Sequence, residues 1–182
     1  MKLAKIFFMI LLSVMSYSFV FGEEGKTIEQ DVYPHFSKIQ GFYSIEVKLF
    51  GKKNIGLSEN ELTDFAKLKF KNNFGGKYTL SSTQVDKIPK KGRGEKLGYI
   101  WFGVSIVGKT DYPVAYHIQC RAGNFSYFLD NFPTSALEDL IIWENAILGY
   151  DNKINVPTKI KECISELMED LAIVFFKARG EL

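Results

Sequence analysis

The chain has 182 residues, 46% of them hydrophobic, with 23 Lys and Arg against 21 Asp and Glu. Two of the basic residues, Lys2 and Lys5, fall in a leader-like amino terminus, and without them the charge balance is near zero. A chain-wide attraction to nucleic acid or anionic lipid is therefore not expected.

In chain order, Lys2 and Lys5 precede an uncharged apolar run from Ile6 to Phe21, and Gly22 is followed at once by Glu23 and Glu24. This pattern predicts a secretory signal peptide over 1–22, cleaved after Gly22. The run is about 16 residues against the roughly 20 that span a bilayer, so no stable membrane span is expected once the leader is removed. Export to a periplasmic or extracellular location follows. The remaining length of about 160 residues suits one domain with a substantial core. Residues 23–40 have weak periodicity and read as an irregular lead-in to a single domain over 41–182.

At "FYSIEVKLF", Tyr43, Ile45, Val47 and Leu49 alternate with polar residues, which predicts a half-buried strand. Ser58 and Glu61 then have the spacing of a capping box, and Gly75-Gly76 supplies a stop, so a helix is expected between them with Leu62, Phe65, Ala66 and Phe70 on one face. A short strand is expected near "KYTLSS" and a loop over "TQVDKIPKKGRGEK". The next 26 residues, from Gly98 to Gly123, read as a hairpin turning at Lys109 to Pro113. Ile100, Phe102, Val104 and Ile106 share its apolar face with Val114, Tyr116, Ile118 and Cys120, while His117, Gln119 and Arg121 point the other way.

An aromatic connection follows, and 139–148 after it reads as a strand, with a helix over 135–148 as the alternative. The last helix starts near Pro157 and ends at Gly180, with Ile160, Cys163, Ile164, Leu167, Met168, Leu171, Ala172 and Phe175 recurring at steps of three and four. This order predicts an α+β fold: a mainly antiparallel sheet of about four or five strands with two helices packed on one face.

Cys120 and Cys163 both fall on core-facing positions, and in an exported chain an even pair reads first as a disulfide. Such a bridge would close a loop of about 43 residues and contribute roughly 4 kcal/mol. His117 and Cys120 have a tempting spacing for a metal, but three residues along a strand put them on opposite faces. No metal site and no cofactor are expected. No nucleophile motif occurs either, so no catalytic residues are assigned.

Two binding candidates remain: the aromatic connection with Phe125, Tyr127, Phe128 and Phe132, and the basic loop with Lys90, Lys91, Arg93 and Lys96. Asn124-Phe125-Ser126 is also a glycosylation sequon. In element order the chain resembles small periplasmic domains that assist envelope assembly. The expected function is a non-enzymatic exported interaction domain with a protein or envelope partner. The alternative is a small secreted hydrolase or ligand-binding protein using carboxylates gathered by the fold. That alternative requires a concave pocket lined by several acids, or by His35 or His117 with an acid.

Overall fold

A computed structural model describes residues 28–51, 56–90, 92–108, 113–127 and 137–182. The leader read in residues 1–22 lies outside them. Helix α1 (Ile28–Val32) and a 3-10 turn (Pro34–Lys38) lead into strand β1 (Gly41–Gly51), and Phe36 and Ile39 are fully buried in the core.

Helix α2 (Glu59–Phe74) begins where Ser58 Oγ accepts the Glu61 N–H at 3.1 Å. The Glu61 carboxylate instead accepts from Lys161 Nζ, 2.6 Å away. Gly75, at φ +69°, ends the helix in a conformation that glycine adopts without steric cost. The strand expected near residues 77–82 is a 3-10 turn (Gly76–Tyr78) and one bridge from Thr79 to Phe42. The expected loop over 83–96 is largely helical, as α3 (Ser82–Lys87) and α4 (Arg93–Lys96). A reciprocal capping box between Ser81 and Gln84 starts α3, satisfying backbone donors that a loop would leave to water.

Strands β2 (Leu97–Val107), β3 (Val114–Tyr127) and β4 (Leu137–Asp151) precede helix α5 (Val156–Ala178). The stretch 139–148 is thus strand. The sheet order is β1-β2-β3-β4, with β1 parallel to β2 and the other two pairings antiparallel. The sheet is therefore mixed, because the β1–β2 connection carries α2 across one face and a crossover of that kind returns the chain parallel.

Both long helices pack on the same face. Val47, Leu49, Phe102, Val104 and Ile118 meet Leu62 and Phe70 of α2 and Ile164, Leu167 and Leu171 of α5 in one core. At one end the core is aromatic: Phe70 stacks on Phe74 at 4.5 Å, and Phe36 and Tyr78 approach Phe175 at 5.5 and 5.0 Å. Much of the chain's Phe content is spent there.

The free edge of β1 is closed by side chains of α2. Val47 N donates to Thr63 Oγ1 at 3.1 Å and Leu49 N to Glu59 Oε1 at 3.0 Å. One alternation is broken: Phe42 pairs with Gly98 and Ser44 with Tyr99, leaving Tyr43 as a bulge. Phe42 consequently enters the core, and Tyr43, expected inward, is 46% exposed.

The end of α5 is tied to the lead-in. Arg179 Nη1 donates to the carbonyls of Phe36 and Ile39 at 3.1 and 2.8 Å, and Arg179 Nε to Glu181 Oε1 at 2.8 Å. The Tyr78 hydroxyl donates to the same carboxylate at 2.7 Å. Tyr78 first and then Arg179 hold the Glu181 carboxyl down at about 2.

The expected disulfide is corrected: Cys120 and Cys163 are both buried free thiols. α5 starts beside the end of the sheet where Val114 pairs with Asp151. From there Cys163 has climbed about 10 Å at a helical rise, whereas Cys120 lies about 20 Å along its strand. Cys163 instead lies beside Tyr116. Burial pushes both thiols up, Cys120 strongly, which keeps them protonated.

Candidate functional site

The alternation that sends Ile100, Phe102 and Val104 into the core sends Tyr99, Trp101 and Gly103 to the opposite face. No helix packs there among the described residues. Strand registers arrange that open face in rows. Glu46, Trp101, Arg121 and Glu144 form one row across all four strands. Ser44, Tyr99, Gly123 and Ile141 form the row on one side of it, and Lys48, Gly103, Gln119 and Ala146 the row on the other.

The glycines in these rows make room for rings. A Cβ at Gly103 would collide with the Trp101 ring, and one at Gly123 would lie 2.8 Å from the Tyr99 hydroxyl. Trp101 and Tyr99 therefore lie down against the sheet. Phe125 joins them from β3, with its ring 5.3 Å from Tyr99 and 5.3 Å from Tyr43. The Tyr43 bulge turns that ring toward the group. Together these four rings bound a hollow of about 400 Å³, with Ser44, Glu46, Arg121 and Ile141 completing its wall.

The polar groups of the hollow are of two kinds. Arg121 Nε donates to Glu144 Oε2 at 2.7 Å, and Gln119 Nε2 to Glu144 Oε1 at 2.7 Å. Hydrogen bonds from Gln119 and from Arg121 hold the Glu144 carboxyl below the usual carboxylate range. The Arg121 guanidinium also sits 5.4 Å from the Trp101 ring centre. Glu46 differs: Ser44 Oγ donates to it at 3.2 Å, and no cation pairs with it among the described residues.

Of the aromatic connection, Phe125 lines the hollow, Tyr127 is described only as backbone, and Phe128 and Phe132 lie outside the described residues. The basic loop does not join the site. Arg93 folds back to give Nε and Nη2 to the carbonyls of Ile88 and Asp86, at 2.8 and 3.2 Å, where it caps the end of α3. Lys90 is exposed and Lys96 half-buried, neither lining the hollow, and Lys91 lies outside the described residues. The sequon residue Asn124 is 0% exposed and donates to Glu95 O at 3.1 Å, so it is no surface acceptor in the folded chain.

His117 and Cys120 project from opposite faces of β3, and His117 lies about 13 Å along the strand from Arg121. His35 is exposed on the 3-10 turn. Among the described residues no three His, Cys, Asp or Glu side chains gather as a metal set. Sequence reasoning overlooked Tyr43, Glu46, Tyr99 and Trp101. The signal was present in Tyr99-x-Trp101-x-Gly103, where period two puts two large rings and a glycine on the polar side of a strand.

No protein-family model matches the sequence, and no curated protein matches it. Solved structures give distant likenesses. The dodecamer of a PelC variant from Paraburkholderia phytofirmans aligns with 74% of this chain and 90% of its own, at 7% identity and a TM-score of 0.44. A second PelC dodecamer from the same organism covers 72% and 87%, at 4% identity and 0.41. A protein described as a neuraminyllactose-binding hemagglutinin homolog from Helicobacter pylori covers 75% and 81%, at 13% identity and 0.37. At these scores none of them bears on function.

Proposed function

We propose that this chain is a non-enzymatic binding domain whose helix-free sheet face is its recognition surface. The observation that carries the reading is the row Glu46, Trp101, Arg121 and Glu144 beside a ring-lined hollow on a face that no described helix covers. On the same face the exposed Phe50 adjoins Trp101, with ring centres 6.2 Å apart, and the exposed Leu148 and Tyr150 stand on the opposite edge strand. Exposed apolar side chains on a sheet face that no described helix covers favour an interaction site. Export, supported by the leader pattern of residues 1–22, makes a protein or another component of the cell envelope the partner, and assistance in envelope assembly the role.

The carboxylate-enzyme reading receives less support. Among the described residues Glu46 is the one acid lining the hollow, Glu144 is engaged by Gln119 and Arg121 at its border, and neither histidine lines it. Photo-crosslinking in the native host tests the proposal. A crosslinker at Phe50 or Leu148 is expected to give discrete adducts, and one at Leu68 or Ile173 on the helix side none. Adducts confined to the helix side would overturn it.

A further inference from the structure

We infer that the hollow between Tyr43, Tyr99, Trp101 and Phe125 binds a quaternary ammonium group, which names the ligand of the recognition surface proposed above and rests on that reading. The first ground is charge. Arg121 and Glu144 neutralise one another, so among the described residues the charge left at the hollow is that of Glu46, a carboxylate on the wall with a hydroxyl as its partner. An anionic ligand such as a phosphate or sulfate would meet that charge without a free guanidinium to offset it. A cation is attracted.

The second ground is the lining. Four aromatic side chains line one hollow, and although Arg121 already sits by Trp101, the faces of such rings attract cations by their quadrupole. The surroundings also distinguish one kind of cation from another. A primary ammonium carries three donors and is strongly hydrated, and here it would exchange water for Glu46 and the hydroxyls of Ser44, Tyr43 and Tyr99, among rings that accept no strong hydrogen bond. A quaternary ammonium has no N–H to satisfy. Its methyl groups pack against rings and Ile141 while its charge faces Glu46. The volume, about 400 Å³, falls within the usual range for small-ligand pockets.

The experiment is a titration of the full chain with choline chloride, followed by calorimetry and by tryptophan emission, with 3,3-dimethyl-1-butanol as the neutral isostere. Choline is expected to bind about tenfold more tightly than the isostere, and Glu46→Gln to remove most of that preference, a factor equivalent to about 1.4 kcal/mol. Phe125→Leu should weaken choline by a few-fold with the far-ultraviolet spectrum unchanged. Co-sedimentation with phosphatidylcholine vesicles would assign the group to a lipid headgroup; choline binding without co-sedimentation would assign it to a free solute. Equal binding of the isostere, no binding of choline, or full retention of the preference in Glu46→Gln overturns the ammonium assignment. Crosslinks from Phe50 and Leu148 would still stand in that case, so failure here is distinguishable from failure of the recognition surface.

Discussion

The two faces of the sheet share strands and alternation but have opposite fates. On the covered face Phe102, Val104 and Ile118 are 0% exposed, packed against α2 and α5. On the open face Leu148 is 77% and Tyr150 80% exposed, and the large rings near β2 lie against glycines with no helix over them among the described residues. A ring in a strand is therefore no measure of core. Where an apolar side chain has a facing layer it contributes stability, and where it has only the sheet beneath it, it is free to contribute binding.

The sharpest test of this contrast is one substitution on each side. Leu167→Asp buries a charge without a partner and is expected to cost about 4 kcal/mol or more, leaving the chain unfolded in a denaturant titration. Trp101→Ala on the open face should cost no more than about 1 kcal/mol. Comparable losses would break the distinction. An intermediate effect is expected at Gly103→Val, which should cost about 1–3 kcal/mol and shift the Trp101 emission, because the added side chain must displace the ring. An unshifted spectrum would mean that the ring does not rest there.

The covered face is also locked at one end by the Glu181 clamp. Its carboxyl is held at about 2 in the fold, against an ordinary 4.5. The stability that it contributes is present above the ordinary value and is lost as pH falls through about 2. Glu181→Gln should therefore be less stable than the parent near neutral pH, with the gap closing between 4.5 and about 2; a gap independent of pH would refute the clamp. The smallest effect concerns the cysteines. Reductant should leave the melting temperature unchanged, and non-reduced mass spectrometry should find thiols at both Cys120 and Cys163.

Much of the covered face was legible beforehand. The stripe on α5 and the hairpin's apolar rows follow from local periodicity, and Ser58 and Gly75 mark the limits of α2 through backbone groups that only neighbouring residues can satisfy. The open face was harder to read. Alternation showed that Gln119 and Arg121 share a side, but Glu46, Trp101 and Glu144 become their neighbours through strand pairing across long stretches of sequence. The Tyr43 bulge is invisible to a period-two reading, because one extra residue reverses which neighbour faces inward.

What the amino-acid order determined alone is the long strands, the two long helices and, away from the Tyr43 bulge, the apolar face of each, since these depend on contacts within a few residues. The tertiary structure decided the rest. The parallel pairing of β1 with β2, the choice of which sheet face receives the helices and the assembly of the ring-lined hollow are all non-local. So is the separation of Cys120 from Cys163: both face the core, yet a helix advances about 1.5 Å per residue and a strand about 3.3 Å, so positions that share a face do not share a height.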